Sequence, residues 1–111
     1  MDDVLYLVTE IQEQDANGVF HPAVTKRIVF CEVESVTRSE YYNAGRSGLN
    51  PEYNMTVFQG DYNGETVAEY NGLAYGIYRT YKVPGTDYME LYLERKGGTN
   101  GRLGNETSEG S

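Results

Sequence analysis

The residues in this chain that could do chemistry are few and stand far apart. His21 is the only histidine, so a Ser-His-Asp arrangement would depend on this one residue as its general base. A zinc site needs several Cys and His ligands close together, and the only cysteine, Cys31, lies ten residues from His21. Because Val29, Phe30 and Val33 lie within two residues of Cys31, we expect a buried apolar side chain rather than a reactive thiol.

Other patterns with chemical potential are equally weak. Residues 61–65 (Asp-Tyr-Asn-Gly-Glu) resemble the start of a calcium loop but lack its spaced third ligand and its terminal glutamate, so we predict a turn between strands. The glycines are dispersed, and none follows a strand to open a phosphate-binding helix. We therefore predict no catalytic residue, no metal ion and no cofactor, and the protein is not expected to be an enzyme.

Length and charge narrow the possible partners. A chain of 111 residues fits one domain with one modest core. The formal net charge is −8 and the nine Lys and Arg residues are scattered, which argues against binding nucleic acid by phosphate neutralisation. An acidic surface instead repels DNA that passes nearby. No stretch approaches the ~20 apolar residues of a membrane span, so we expect an intracellular protein without a membrane partner.

The elements that must position any functional residues are predicted to be strands. Tyrosine-rich segments alternate between apolar and polar residues, and turn residues separate them. The dipeptide Asn71-Gly72 between two such segments is a strong hairpin signal. We predict an all-β fold, a small β-barrel, with strands at residues 4–12, 24–36, 66–70, 73–83 and 88–95.

One strand of the hairpin carries an unusual charge. Arg79 interrupts the predicted apolar face of residues 73–83, which consists of Leu73, Tyr75, Ile77, Tyr81 and Val83. A guanidinium on an apolar face must find a partner or extend to solvent. We therefore predict that Arg79 belongs to a buried or subunit-bridging charge pair.

The segment from residue 37 to 53 departs from the strand pattern. Thr37 and Glu40 have the spacing of a capping box, which predicts a short helix from about Arg38 to Ala44, ended by Gly45. We interpret residues 37–53 as a long, helix-bearing loop of a barrel domain spanning residues 1–96. Such loops often carry binding surfaces. Residues 97–111 form a Gly-rich tail without periodicity, which alone should be disordered.

Several strings, taken in order and spacing, resemble phage head-closure proteins, which are also called head-tail joining or stopper proteins. The core string is Ser-Val-Thr-Arg-Ser-Glu-Tyr-Tyr-Asn-Ala-Gly at residues 35–45. The resemblance covers roughly residues 4–96 and continues through residues 48–52, 61–65, 75–81 and 90–93.

The resemblance implies a small β-barrel that assembles into a dodecameric ring in the neck of a long-tailed virion, after synthesis in the host cytoplasm. The portal and its adaptor ring would lie on the head side, and the tail terminator and tube on the other. Such a ring closes the DNA-filled head, and its lower surface is the docking platform for the tail. Genomic DNA would pass through the channel without sequence-specific binding, and acidic side chains in the lumen would keep it from adhering.

Within this scheme, the helix-bearing loop is expected to form an inter-ring contact or the channel-facing element. Arg38 and Glu40 would form salt bridges, while Tyr41 and Tyr42 would be aromatic anchors. An alternative is that Tyr41 merely packs the helix on the barrel. The full set of predicted interface or channel residues is Arg38, Glu40, Tyr41, Tyr42, Arg46 and Leu49.

Two other functions remain open from the sequence. The chain could be a different ring component, such as a tail terminator or an adaptor, although an adaptor should be mostly helical. It could also be a monomeric β-barrel binding module that recognises a peptide or a glycan through exposed tyrosines. Monomeric behaviour with a saturable ligand would favour the binding module.

Overall fold

The computed structural model describes residues 1–96, which contain six strands and one α-helix. A single turn of 3-10 helix at Gln59–Asp61 follows the third strand. The elements are β1 (Asp3–Gln14), β2 (Phe20–Glu34), α1 (Arg38–Arg46), β3 (Pro51–Phe58), β4 (Val67–Tyr70), β5 (Leu73–Lys82) and β6 (Tyr88–Arg95).

The six strands form a closed antiparallel barrel in the order β1-β2-β3-β6-β5-β4. The barrel closes where Tyr6–Val8 of β1 pairs with Val67–Glu69 of β4. The predicted small all-β barrel with a single short helix is thus confirmed. Residues 97–111, predicted to be a disordered tail, lie outside the described residues.

The barrel interior is filled by inward-facing apolar side chains from all six strands. Cys31 is one of them and has no exposed surface, as predicted. Burial, followed by the nearby charge of Asp3, raises the pKa of this thiol to about 11. The fully or nearly fully buried cluster comprises Leu5, Leu7, Val29, Cys31, Met55, Val57, Ala68, Tyr75, Met89, Leu91 and Leu93.

The hairpin of β4 and β5 follows the prediction closely. Asn71 and Gly72 both have positive φ, of 52° and 79°, which suits a two-residue turn that matches the twist of the strands. The predicted strand at residues 88–95 is confirmed as β6.

Strand β3 was missed by the sequence analysis. It begins at Pro51, so residues 51–53, assigned to the helix-bearing loop, are already in the barrel. Met55 and Val57 point into the core, and the strand joins β2 to β6. Without β3 the sheet could not close.

Because of a register shift in β5, the face predicted for this strand is wrong beyond Ile77. Ile77 lies opposite Leu93, yet Arg79 lies opposite the next residue, Tyr92, so Tyr78 is an extra residue in the ladder. An extra residue of this kind reverses the faces beyond it. Tyr81 is consequently exposed and does not share the buried face of Tyr75, contrary to the prediction.

Strands β1 and β2 extend well past the barrel. They pair with each other along their whole length, but β1 meets β4 only at Tyr6–Val8 and β2 meets β3 only at Glu32–Glu34. Residues 9–25 therefore project as a two-stranded ribbon, and nearly all of their side chains are exposed.

Two ion pairs hold the base of this ribbon on the barrel. Arg27 Nη2 lies 2.7 Å from Oε2 of Glu65, whose side chain is almost completely buried. Lys26 Nζ lies 3.1 Å from the Glu69 carboxylate on β4. Glu65 also accepts a hydrogen bond from the backbone N–H of Asn63. Residues 61–65, predicted to be a turn between strands, lie in the connection from β3 to β4, with Asp61 ending the 3-10 helix.

Candidate interaction site on the helix-bearing loop

Helix α1 begins with half of the predicted capping box. Thr37 has extended backbone angles, and its hydroxyl accepts the backbone N–H of Glu40 at 3.1 Å. The Glu40 carboxylate does not return to the N–H of Thr37, as a complete capping box would require. It points instead to the barrel, where stronger partners are available.

The helix ends later than predicted. Gly45, expected to terminate it, lies inside the last turn. Gly48 is the residue with positive φ, 83°, and it donates to the carbonyl of Gly45 at 3.0 Å. Leu49 then donates to the carbonyl of Ala44 at 3.1 Å, which completes a Schellman motif. This ending turns the chain directly into β3.

The Glu40 carboxylate joins the helix to β5. Its Oε1 accepts from Arg79 Nη2 at 2.6 Å, and its Oε2 accepts the hydroxyl of Tyr78 at 2.7 Å. Tyr78 is the extra residue of the β5 register shift, so the irregularity places two successive side chains, Tyr78 and Arg79, on one carboxylate. The pairing that the sequence required for Arg79 is made within the chain.

Tyr92 of β6 completes this cluster. The Arg79 guanidinium carbon lies 4.0 Å above the centre of the Tyr92 ring, a cation–π arrangement. The Tyr78 and Tyr92 rings are 6.2 Å apart. Tyr92 also donates its hydroxyl to Glu90. We call Glu40, Tyr78, Arg79 and Tyr92 the anchoring cluster, because they fix α1 to β5 and β6.

The cluster shifts the pKa of each of its acids. Partial burial acts to raise the pKa of Glu40, but the hydrogen bonds from Arg79 and Tyr78 together outweigh it, so this pKa lies below its ordinary value. Burial and the bond to Glu40 raise the pKa of Tyr78. Burial, with the bond to Glu90 next, raises the pKa of Tyr92 to about 12. Glu40 is thus an anion at neutral pH, and both phenols stay protonated donors.

The exposure of the pair limits its energetic value. The Glu40 side chain is 15% exposed and the Arg79 side chain 44% exposed. Water therefore solvates part of the guanidinium. The sequence analysis considered a buried charge pair for Arg79, but the energy of such a pair does not apply to this partly exposed one.

The outward side of α1 carries the two predicted aromatic anchors. Tyr41 and Tyr42 are 57% and 68% exposed. The buried residue of the helix is Ala44, so the alternative that Tyr41 merely packs α1 on the barrel is not supported. Their role as anchors for a partner stays a prediction.

The remaining predicted interface residues lie around these tyrosines. Arg38 and Arg46 are exposed at the two ends of the helix, and Leu49 is half-buried beyond it. Within residues 1–96, no ion pair includes Arg38. The loop thus presents two aromatic rings between two cationic side chains, a composition that suits a protein interface.

The other chemical features of the described residues are slight. His21 Nε2 lies 2.8 Å from Oδ2 of Asp15, and both side chains are more than a third exposed. A cavity of about 180 Å³ lies beside Glu34, Glu52 and Tyr53, which is smaller than the ~300 Å³ of a typical ligand pocket. Residues 1–96 contain no cluster of three His, Cys, Asp or Glu side chains that could hold a metal ion. In the same range, no helix is long and apolar enough to cross a membrane.

Sequence reasoning missed two members of the anchoring cluster. Tyr78 and Tyr92 have no distinguishing feature among eleven tyrosines. A usable signal was the unexplained charge of Arg79 on an apparently apolar face, because such a charge requires acceptors and packing partners nearby.

Comparisons with known proteins add no partner or activity, since neither a family model nor a curated protein sequence matches the chain.

Proposed function

We propose that this protein is a head-closure subunit of a long-tailed phage, which forms a ring at the head-tail joint. The ring closes the DNA-filled head and offers a docking surface to the tail. Its neighbours are the adaptor and portal on one side and the tail terminator and tube on the other. The role is structural, and no chemical step is assigned to the chain.

The observation that carries the proposal is the anchoring cluster. Glu40, Tyr78 with Arg79, and Tyr92 come from three different strings of the resemblance, at residues 35–45, 75–81 and 90–93. These strings are far apart in sequence, yet they meet through bonds of 2.6 and 2.7 Å and one cation–π contact. The strings that suggest the family therefore build one feature, an α-helix bonded to a barrel.

A helix that is held by its scaffold suits a docking platform. Binding surfaces on loops work best when the scaffold holds them, because less conformational entropy is lost on association. The anchoring cluster holds α1, while Tyr41 and Tyr42 remain exposed. Aromatic and Arg side chains contribute most of the energy in many protein interfaces. We therefore assign Tyr41, Tyr42, Arg38 and Arg46 to a contact with a neighbouring ring.

The acidic charge supports a channel for DNA. A formal net charge of −8 per chain, repeated around a ring, would create a negative potential that repels the phosphate backbone. DNA would then move through the lumen without adhering. A ring with a neutral or basic lumen would contradict this part of the proposal.

The platform assignment is tested with a double substitution, Tyr41→Ala with Tyr42→Ala. Both side chains are mostly exposed, so the variant should fold with the thermal stability of the wild type. When added to heads that lack the protein, it should fail to join them to tails, as scored by infectious particles. Leu73→Ala, at an exposed position on β5 away from the helix, is the matched control and should join normally. Normal joining by the double variant would contradict the platform.

Among the alternatives, an adaptor is disfavoured because most of the described residues are in strands. A tail terminator remains a candidate, and its place in the virion would distinguish it. A monomeric binding module is the rival from another class, and the exposed Tyr41 and Tyr42 are the observation in its favour. Saturable binding of a peptide or glycan by a protein that never joins a virion would establish it.

A further inference from the structure

The outer face of the β1–β2 hairpin carries large apolar side chains that nothing else in residues 1–96 covers. Successive side chains of a strand alternate between faces, so the even-numbered residues share the outer face of the hairpin. There Val4 pairs with Phe30, and Tyr6 pairs with Ile28. We call this surface the apolar stripe; it consists of Val4, Tyr6, Phe20, Val24, Ile28 and Phe30, which are 38% to 65% exposed. Polar side chains on the same face divide it, since Lys26 lies between Val24 and Ile28, and Glu10 pairs with Val24.

The extent of the stripe is close to what an interface requires. Given the usual size of these side chains, their exposed surface is on the order of 500 Å². A stable interface buries about 800 Å² per partner, including a polar rim. The stripe thus provides most of the apolar centre of a standard interface. The outer part of the hairpin also needs cover, since an isolated two-stranded ribbon is only marginally stable in water.

The same chain presents a second uncovered surface on the other side of the barrel. Phe58 and Tyr88 pair across β3 and β6 with ring centres 6.4 Å apart, and Tyr81 lies on the neighbouring strand β5. All three are 44% to 46% exposed. We call them the aromatic patch. In the closed order β1-β2-β3-β6-β5-β4, strands β6 and β5 lie opposite β1 and β2.

We propose that the apolar stripe of one copy seats on the aromatic patch of the next copy. Stripe-to-stripe pairing across a two-fold axis would leave the patch of both copies uncovered. A head-to-tail contact covers both surfaces in every copy, and contacts of this type generate rings or helical filaments. The inference rests on the proposed function in one respect, that the head-to-tail contacts close into a ring.

The test uses substitutions that disable one surface at a time. Phe30→Glu and Val24→Glu place a charge on the stripe, and Tyr88→Lys places one on the patch. Thr25→Glu is the matched control, since it adds the same charge one residue from Val24, on the opposite face of the hairpin. Circular dichroism and thermal unfolding establish that each variant folds.

Association is measured by sedimentation up to about 1 mM, the range of the weakest specific contacts. The wild type and Thr25→Glu should self-associate, and each stripe or patch variant should lose affinity by about 30-fold or more. When mixed, the Phe30→Glu and Tyr88→Lys proteins should form a one-to-one dimer that grows no further. Each partner in this mixture supplies the one surface that the other lacks.

Other outcomes overturn the inference. A wild type that stays monomeric at about 1 mM would show that the stripe does not bind a second copy. Normal association by Tyr88→Lys would indicate stripe-to-stripe pairing. Normal association by Phe30→Glu, with loss of binding to adaptor rings, would assign the stripe to the adaptor.

The same proteins separate this inference from the proposed function. If wild type and Phe30→Glu enter the neck of the virion equally well, the contact is wrong while the function stands. If the stripe and patch pair as described but the protein never binds portal and adaptor complexes, the function is wrong while the contact stands.

Discussion

Replacing Glu40 by Gln isolates the charge that holds α1 to the barrel. The amide keeps the shape of the carboxylate and can still accept the Tyr78 hydroxyl, so the main loss is the attraction to Arg79. A hydrogen bond to a charged group contributes about 1.5–3 kcal/mol to stability. The 44% exposure of Arg79 reduces this figure, because surface pairs contribute at most about 1 kcal/mol. We expect Glu40→Gln to lower the free energy of unfolding by about 1–2 kcal/mol at pH 7.

This loss should depend on pH in a defined direction. The pKa of Glu40 in the folded protein lies below its ordinary value of 4.5, so the unfolded chain binds the proton more readily. The contribution of Glu40 is then complete above about pH 5 and disappears as the pH falls through the folded-state pKa. Wild type and Glu40→Gln should therefore converge in stability in strong acid.

Urea unfolding followed by circular dichroism measures both effects. A double-mutant cycle with Arg79→Met should give a coupling energy of about 1 kcal/mol at pH 7. Tyr78→Phe serves as the comparison, since it removes a hydrogen bond without removing a charge. A Glu40→Gln protein as stable as the wild type at pH 7, or a stability difference that persists unchanged at pH 2.5, would refute the reasoning.

Two further predictions concern buried side chains. Asn54 is buried, and its side-chain oxygen has no hydrogen-bond partner within residues 1–96. Asn54→Val should therefore raise the free energy of unfolding by about 1 kcal/mol, measured as a higher urea midpoint. A lower midpoint would mean that the amide has a stabilising role. Cys31 should react with a thiol reagent only when the protein unfolds, because its side chain is inaccessible and its pKa is about 11; rapid labelling of the native protein would contradict this burial.

The sequence predicted the elements whose signals are local. Asn71-Gly72 fixed a hairpin because few residue pairs adopt positive φ twice in succession. β6 was predicted with its observed bounds because its alternation is regular. The predicted strands stop short of the ends of β1 and β2 in the ribbon. Many residues there are polar, so no regular apolar face marks the strands in the sequence. There the pairing between the two strands maintains the extended conformation.

The elements that were missed depend on distant parts of the chain. β3 was not predicted because Pro51 and Asn54 are residue types that strands disfavour. The strand forms because β2 and β6 both pair with it. The extra residue in β5 shows in the sequence only through Arg79, whose charge interrupts the apolar face that Tyr75 and Ile77 begin. Glu40 was assigned to a local capping box, yet its partners on β5 lie almost forty residues away. Local spacing cannot reveal which of two possible partners a carboxylate will choose.

The most direct test of the proposed function is a cryo-EM reconstruction of portal and adaptor complexes mixed with this protein, or of virions that contain it. The proposal predicts a ring of this barrel at the head-tail joint, with α1 against a neighbouring ring. Complexes that never acquire this density, with the protein remaining free in solution, would contradict the proposal and favour a monomeric binding module.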